Sequence, residues 1–457
     1  MANHRKLFGT DGVRGVANAE PITSETALKL GRALAHVFRK QSGRRHRHIL
    51  IGKDTRLSGY MLETAMASGI CSMGVDVWLV GPVPTPGIAF LTRSMRADAG
   101  VVISASHNPF EDNGIKFFSR DGFKLDDETE ESIERLVFDD GALAVHRAPA
   151  AEIGKAARID DALGRYLVSI KSCVPRAVTF DGLRVVIDCA NGAAYKVGPE
   201  ALDELGADVI PIAVDPDGKN INQDCGAMHA NRLREIVRKK RAHLGIALDG
   251  DGDRAIFIDE KGELFDGDDV MALFGGAMAR AGTLARNTVV ASVMSNFGLE
   301  LALRASNVSL VRTDVGDPAV AREMRANGYN LGGEQSGHVI LMDHATTGDG
   351  LITALLVMTQ MADTGQPLSE LRVMRRVPQV LENVPVREKM PLSEMPDVQR
   401  MIADVESKLA GAGRLLVRYS GTEMCARVMI EGEDADTIGV LAREIGAAIQ
   451  RRAGAPS

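Results

Sequence analysis

The chain has 457 residues, 45% hydrophobic and 25% charged, an ordinary globular balance that excludes a disordered protein. That length allows three or four domains, each with its own core. With 54 Lys and Arg against 61 Asp and Glu, the net charge of −7 excludes a basic nucleic-acid binder over the chain as a whole.

The opening M-A-N-H-R-K-L lacks the apolar run of a signal peptide. A helix is expected over Ser24–Lys40, with apolar Leu28, Leu30, Leu34, Val37 and Phe38. Ile49–Ile51 reads as a buried strand ending in G-K-D-T-R, and Tyr60–Met73 as a helix stopped by Gly74. Val101–Ile103 is a strand ending in S-A-S-H-N-P. Asp126–Phe138 reads as a helix whose charges form a solvated face. The Ala-rich stretch 141–158 suggests a first domain boundary.

Further strands are expected at Val185–Ile187, Ile246–Leu248 and Val289–Val293, each followed by a small polar loop: D-C-A-N-G, D-G-D-G-D-R and M-S-N-F-G. Strand, polar loop and helix in series indicate α/β layers, which bind ligands beyond the carboxyl ends of their strands. Later boundaries are expected near 259–262 and after Leu371. The tail then changes rhythm: helix 397–410, strand 415–418, strand 426–430, helix 434–451, a small α+β domain. The domains are therefore 1–155, 156–258, 259–372 and 373–457. The most apolar uncharged run, residues 350–362, is too short to span a bilayer. The five cysteines are scattered with no C-x-x-C pair, which argues against zinc or a disulfide framework and fits the cytoplasm.

Asp249, Asp251 and Asp253, spaced by glycines, cannot form a core. They repel one another unless a cation neutralises them, and hard oxygens suit Mg²⁺ or Ca²⁺. An EF-hand is excluded: its sixth position is Arg254 rather than Gly, and the flanks read as strands. Ser106 follows a strand, but no G-x-S-x-G elbow accompanies it, so acyl transfer is not indicated. His107 adjoins it, and Lys116 lies ten residues on. A lysine near a metal has its protonated form disfavoured, which would ease proton exchange. G-E-Q-S-G-H offers Glu334, Ser336 and His338 for bonding vicinal hydroxyls. In R-Y-S-G-T-E, Arg418 can fork to a phosphate while Ser420, Gly421 and Thr422 surround its other oxygens. The chain contains neither a Walker A nor a G-x-G-x-x-G pattern.

Together and in this order, these motifs, with F-G-T-D-G-V-R-G at 8–15, resemble the α-D-phosphohexomutase superfamily over essentially the whole chain. The resemblance implies three related α/β domains with mixed sheets plus a smaller C-terminal α+β domain, heart-shaped around a central cleft. It implies a phosphoserine at Ser106 and one Mg²⁺ per active site, held by Asp249, Asp251, Asp253 and that phosphate. Arg254 would contact the phosphate or the substrate, and Lys116, His107 and Arg14 would surround the transferring phosphoryl. Glu334, Ser336 and His338 would bind sugar hydroxyls. Arg418, Ser420, Gly421 and Thr422, with Arg427 on the next strand, would bind the non-reacting phosphate. F-G-T-D-G-V-R-G resembles the branch that converts glucosamine 6-phosphate to glucosamine 1-phosphate, through the 1,6-bisphosphate, for UDP-N-acetylglucosamine and cell-wall synthesis. The implied partners are small sugar phosphates, without nucleic acid or membrane, for a cytoplasmic monomer or homodimer. The loop 313–319 departs from the superfamily: Asp314, Pro318 and Ala319 replace the basic and aromatic residues often found there. Sister glucose or mannose phosphate mutases share all this chemistry. A Mg²⁺-dependent sugar phosphatase would not need the R-Y-S-G-T-E loop, and a non-catalytic sensor would not need Ser106, Lys116 and the aspartates together.

Overall fold

The computed structural model describes residues 7–41, 47–409, 411–420 and 423–454. Its first sheet contains β1 (Val13–Val16), β2 (His48–Lys53), β3 (Asp76–Pro82), β4 (Ala99–Ile103), β5 (Asp112–Ser119) and β6 (Ala156–Arg158) in the order β1-β5-β4-β2-β3-β6. β4, β2, β3 and β6 run parallel, and β5 and β1 close one edge antiparallel. The apolar run H-I-L-I-G-K of β2 follows from burial on both faces. Ile49 and Ile51 pack with Leu30 and Leu34 of α1 (Ser24–Gln41) and Met66 and Ile70 of α2 (Ser58–Cys71). Leu50 points the other way, into a cluster with Ile88, Leu91, Val102 and Phe118.

The second sheet, β7 (Arg184–Asp188), β8 (Asp208–Ile212), β9 (Leu244–Leu248), β10 (Ala255–Asp259) and β11 (Leu264–Phe265), has the order β11-β10-β9-β7-β8. β9, β7 and β8 are parallel, and β10 and β11 antiparallel. The third, β12 (Thr288–Ser292), β13 (Ser309–Thr313), β14 (Leu331–Gly333) and β15 (Val339–Leu341), has the order β13-β12-β14-β15, with β12 and β14 parallel and β15 antiparallel. The last is an antiparallel sheet of β16 (Gln379–Pro385), β17 (Gly413–Tyr419) and β18 (Cys425–Gly432), packed against the helix Ala435–Ala453.

The chain forms two compact units, one of Met1–Met294 with Leu310–Val373, the other of Ser295–Ser309 with Met374–Ser457. The first sheet runs past residue 155 because β6 pairs with β3, and the second runs past 258 through β11. The acidic helix, Asp127–Val137, is not wholly solvated: Glu134 accepts the backbone N–H groups of Leu7 and Phe8 at 3.1 Å each. Among the described residues no helix is long and apolar enough to cross a membrane.

One architectural rule places the chemistry. The motif 104–109 joins β4 to β5, 249–254 joins β9 to β10, 334–338 joins β14 to β15, and 420–424 joins β17 to β18. In all four, the loop leaves a strand and returns along its antiparallel neighbour.

The second and third sheets are also tied by a buried polar contact. Tyr166, on the helix Ala162–Lys171, donates its hydroxyl to Asp349 Oδ2 at 2.8 Å. Asp349 caps the helix Gly350–Thr364, accepting the Leu351 and Ile352 N–H groups at 3.0 Å. Burial pushes the Asp349 carboxyl up to about 6, against the downward pull of these donors. The folded protein thus binds this proton more tightly than the unfolded chain. The associated stabilisation is complete below the unfolded value near 3.8 and is lost as pH rises through about 6. Asp349→Asn should therefore gain stability relative to wild type between about pH 4 and 7. Identical pH slopes in chemical denaturation would contradict this.

Candidate active site

The serine loop leaves β4 with Ser104, whose N–H bonds the Gly114 carbonyl at 2.9 Å. Ser106 then adopts φ +53°, which side-chain-bearing residues seldom occupy. Its surroundings hold it there. The Ser106 N–H donates to Ser104 Oγ at 3.0 Å, and its carbonyl accepts Arg56 Nη2 at 3.0 Å and Asn222 Nδ2 at 2.8 Å. The wholly buried Arg56 also bonds the carbonyls of Asn108 (2.8 Å), Asp112 (3.2 Å) and Pro109, and pairs through Nε with Asp54 at 2.8 Å. Asp54 in turn accepts the Ser104 hydroxyl at 2.5 Å. Every guanidinium donor is therefore used to shape one loop. Sequence inspection noted G-K-D-T-R only as a loop, and nothing in it singled out Asp54, Arg56 or Asn222.

The loop so held presents the Ser106 hydroxyl to Asp249 Oδ2 at 2.6 Å. The approach needs a glycine opposite: a Cβ on Gly250 would lie 2.6 Å from the Ser106 carbonyl oxygen. Asp249, Asp251 and Asp253 are buried, with candidate ligand oxygens all within 4.8 Å of one another. Asp251 Oδ1 and Asp253 Oδ1 are buried without a hydrogen-bond partner. Hard, clustered oxygens left unpaired fit a divalent cation such as Mg²⁺. Burial, then Asp253 and Asp251, push the Asp249 carboxyl well above its ordinary range. Against burial, Lys116 and other donors hold Asp251 down, and His338 holds Asp253 down.

Lys116 lies on β5 opposite Val102, the strand that returns from the serine loop. Its buried Nζ sits 3.0 Å from Asp251 Oδ2 and 3.0 Å from Asp11 Oδ2. Burial alone would lower its pKa, but Asp11, Asp251 and Asp253 outweigh it and raise the value above the ordinary range. These carboxylates favour its ammonium form, opposite to the direction expected beside a metal ion. Arg254 Nε is 3.9 Å from Asp253 Oδ1, and Arg14 pairs with Asp11. His107 Nδ1 is 3.4 Å from Ser106 Oγ, and burial, with Arg254 and Arg14, lowers its pKa to about 4, leaving the ring neutral.

His338, expected to meet sugar hydroxyls, is buried, with Nδ1 3.5 Å from Asp253 Oδ2 and Nε2 accepting the Gly348 N–H at 3.2 Å. Its ring supports an aspartate of the metal loop. Glu334 Oε1 accepts the Gly316 N–H at 3.0 Å, while Ser336 is exposed. Ser106, His107, Lys116, Arg14, Arg254, the three aspartates, Glu334 and His338 all belong to the first compact unit.

The loop at 420–424 belongs to the second unit. Arg418 and Arg427 face each other across β17 and β18. Like charges directly opposite are unfavourable unless an anion lies near. Arg427 pairs with Glu423 at 2.8 Å, and its Nε is buried without a partner. The Ser420 carbonyl accepts Lys389 Nζ at 2.6 Å. Gly421 and Thr422 lie outside the described residues.

Comparison with known proteins covers the chain from end to end. Models of the phosphoglucomutase/phosphomannomutase alpha/beta/alpha domains I, II and III match residues 5–143, 164–262 and 266–377, and the C-terminal domain model matches 381–448. A phosphoglucosamine mutase of Anaeromyxobacter sp. (strain Fw109-5) is 60% identical over 98% of this chain and 96% of its own length. One from Myxococcus xanthus is 57% identical over 98% and 97%. Among solved structures, a phosphoglucomutase/phosphomannomutase family protein from Burkholderia thailandensis superposes with TM-score 0.81 at 23% identity, covering 98% of this chain and 97% of that one. An Aspergillus fumigatus N-acetylphosphoglucosamine mutase, in complex with GlcNAc-6P and magnesium, has TM-score 0.66 at 20% identity, covering 97% and 95%.

Two outcomes are expected. Arg56→Lys replaces a five-donor fork by a point charge, and each buried carbonyl left unpaired costs about 1–3 kcal/mol. Backbone amides of 104–108 should exchange faster than in wild type, and unchanged protection would refute the role of Arg56. Asp251→Asn should weaken Mg²⁺ binding measured by calorimetry; unaltered affinity would remove Asp251 from the site.

Proposed function

The chain belongs to the phosphoglucomutase/phosphomannomutase family, and we propose that it is a phosphoglucosamine mutase, an isomerase that interconverts glucosamine 6-phosphate and glucosamine 1-phosphate. The observation that carries the chemistry is the Ser106 hydroxyl, 2.6 Å from Asp249 of a buried aspartate cluster whose Asp251 pairs with Lys116 at 3.0 Å. The substrate follows from relatives of that name at 56–60% identity over nearly the full length.

Phosphoryl transfer asks for positioning and charge stabilisation more than for covalent chemistry from the protein. In its phosphorylated form Ser106 gives its phosphoryl to the 1-hydroxyl of glucosamine 6-phosphate. The bond from phosphorus to Oγ breaks as that to the sugar oxygen forms, giving glucosamine 1,6-bisphosphate. The intermediate reorients, and its 6-phosphoryl returns to Ser106, leaving glucosamine 1-phosphate. One proton passes from the attacking hydroxyl to Ser106 Oγ in the first half and back in the second. Lys116 is assigned as the group that moves it, with the neutral His107 ring as the nearby acceptor. Asp249, Asp251 and Asp253 would hold Mg²⁺, which when bound neutralises charge on the transferring phosphoryl. Arg254 would steady the phosphoryl and Glu334 a sugar hydroxyl. The opposed Arg418 and Arg427 would hold the phosphate that is not reacting. The free cysteines suit the reducing cytoplasm.

Ser106→Ala should abolish conversion of glucosamine 6-phosphate, and phosphopeptide mass spectrometry of the active protein should place the phosphate on Ser106. Full mutase activity in the variant, or phosphate only on Ser104, would overturn the assignment. Release of inorganic phosphate in place of glucosamine 1-phosphate would make the protein a phosphatase.

A further inference from the structure

Lys124 belongs to none of the motifs, yet it sits between two of the chain's aspartates. It follows β5, and its mostly buried Nζ forms ion pairs with both Asp11 and Asp317. Asp11 lies in F-G-T-D-G and uses its second oxygen on Lys116, at 3.0 Å. Lys116 continues to Asp251, also at 3.0 Å. On the other side, Asp317 ends the V-G-D turn. Gly316 in that turn has φ +116°, a conformation for glycine, and its N–H meets Glu334 Oε1 at 3.0 Å. Asp317 Oδ2 also lies 3.9 Å from His338 Nε2, and the other ring nitrogen lies 3.5 Å from Asp253 Oδ2. Alternating charges therefore run Asp251, Lys116, Asp11, Lys124, Asp317, and the His338 ring lies between Asp317 and Asp253.

We propose that Lys124 is a positioning residue that clasps Asp11 to Asp317, and so sets the carboxylate of Glu334 in register with Ser106 and Lys116. The proposal rests on the mutase reading above. Buried ion pairs contribute little net stability compared with well-packed apolar side chains, so a clasp of this kind is better explained by the geometry it specifies. The geometry here joins the loop that reads the sugar to the centre that transfers the phosphoryl. A cavity of ≈ 570 Å³, lined by Thr10, Asp11, Lys116, Lys124, Val315 and Arg322, opens beside the clasp. Lys124 is thus part of the wall along which a sugar phosphate would lie. The V-G-D turn, whose flanking residues depart from the superfamily, gains its orientation from the charge pair.

The test uses the full chain and steady-state kinetics with glucosamine 6-phosphate and glucose 6-phosphate. Wild-type conversion of glucosamine 6-phosphate with phosphate on Ser106 comes first; its failure overturns the mutase reading and this proposal with it. With that activity in hand, Lys124→Met should raise KM for glucosamine 6-phosphate about tenfold, the factor expected from one charge-assisted hydrogen bond, and narrow the preference over glucose 6-phosphate. Ser106 should still take up phosphate from glucosamine 1,6-bisphosphate. Asp317→Asn should give the same changes, and the double variant should be no worse than either single one. Wild-type KM and preference in Lys124→Met, a fall in kcat alone, or additive effects in the double variant would overturn the proposal. If both single variants fail to fold, the pair is a stability element and the proposal is wrong.

Discussion

Three carboxylates share one buried site, and that constraint organises the first compact unit. Two unit charges about 4 Å apart repel by on the order of 4 kcal/mol at an effective dielectric near 20. A fold can tolerate such a cluster only by surrounding it with positive charge. Lys116 arrives from β5 and Arg254 from the 249–254 loop itself, and the His338 ring from the hairpin of the third sheet packs against Asp253. Each of these groups is buried or largely so, and each comes from a different sheet or loop. The cluster thus acts as the point to which three α/β layers are electrostatically bound. A divalent cation is the charge still called for by the two unpartnered oxygens of Asp251 and Asp253.

The way the groups arrive is a repeated solution. In each of the first three sheets, the functional loop follows a strand whose next strand in sequence is its antiparallel neighbour. A short connection of that kind has fixed ends on two adjacent strands, so its side chains start from a rigid base. The serine loop needs more than its ends, because Ser106 occupies a left-handed conformation. The extra constraint comes from Arg56 and Asn222, which bond its carbonyl from elsewhere in the unit. The small last sheet repeats the device with Arg418 and Arg427 on facing positions. Three of these loops offer groups suited to phosphoryl, metal or hydroxyl, and the fourth to a second phosphate.

Much of this was legible in the chain itself. Asp249, Asp251 and Asp253 could be read as a cation site because glycine-spaced carboxylates have no use in a core. Alternating strand and loop indicated α/β layers, because buried strands must be apolar on both faces and β2 is. S-A-S-H-N-P, G-E-Q-S-G-H and R-Y-S-G-T-E stood out because small polar residues cluster where backbone must approach a ligand. What local sequence determines is therefore the kind of chemistry each loop can do.

Tertiary structure alone decided which charges meet. Lys116 meets Asp11 and Asp251, both distant in sequence, and their carboxylates favour its ammonium form. His338 is buried against Asp253, a pairing that depends on how the second and third sheets abut. Arg56, Lys124 and Asp317 carry no local signal, since an isolated charged residue in a polar loop looks the same whether it is solvated or clasped. Ion pairs and hydrogen bonds between segments far apart in the chain depend on the packing of whole sheets, and that information is distributed over the core. The sequence by itself determined the fold class, the family and the candidate serine; the charged groups that surround it and the residues that orient them followed only from the assembled sheets.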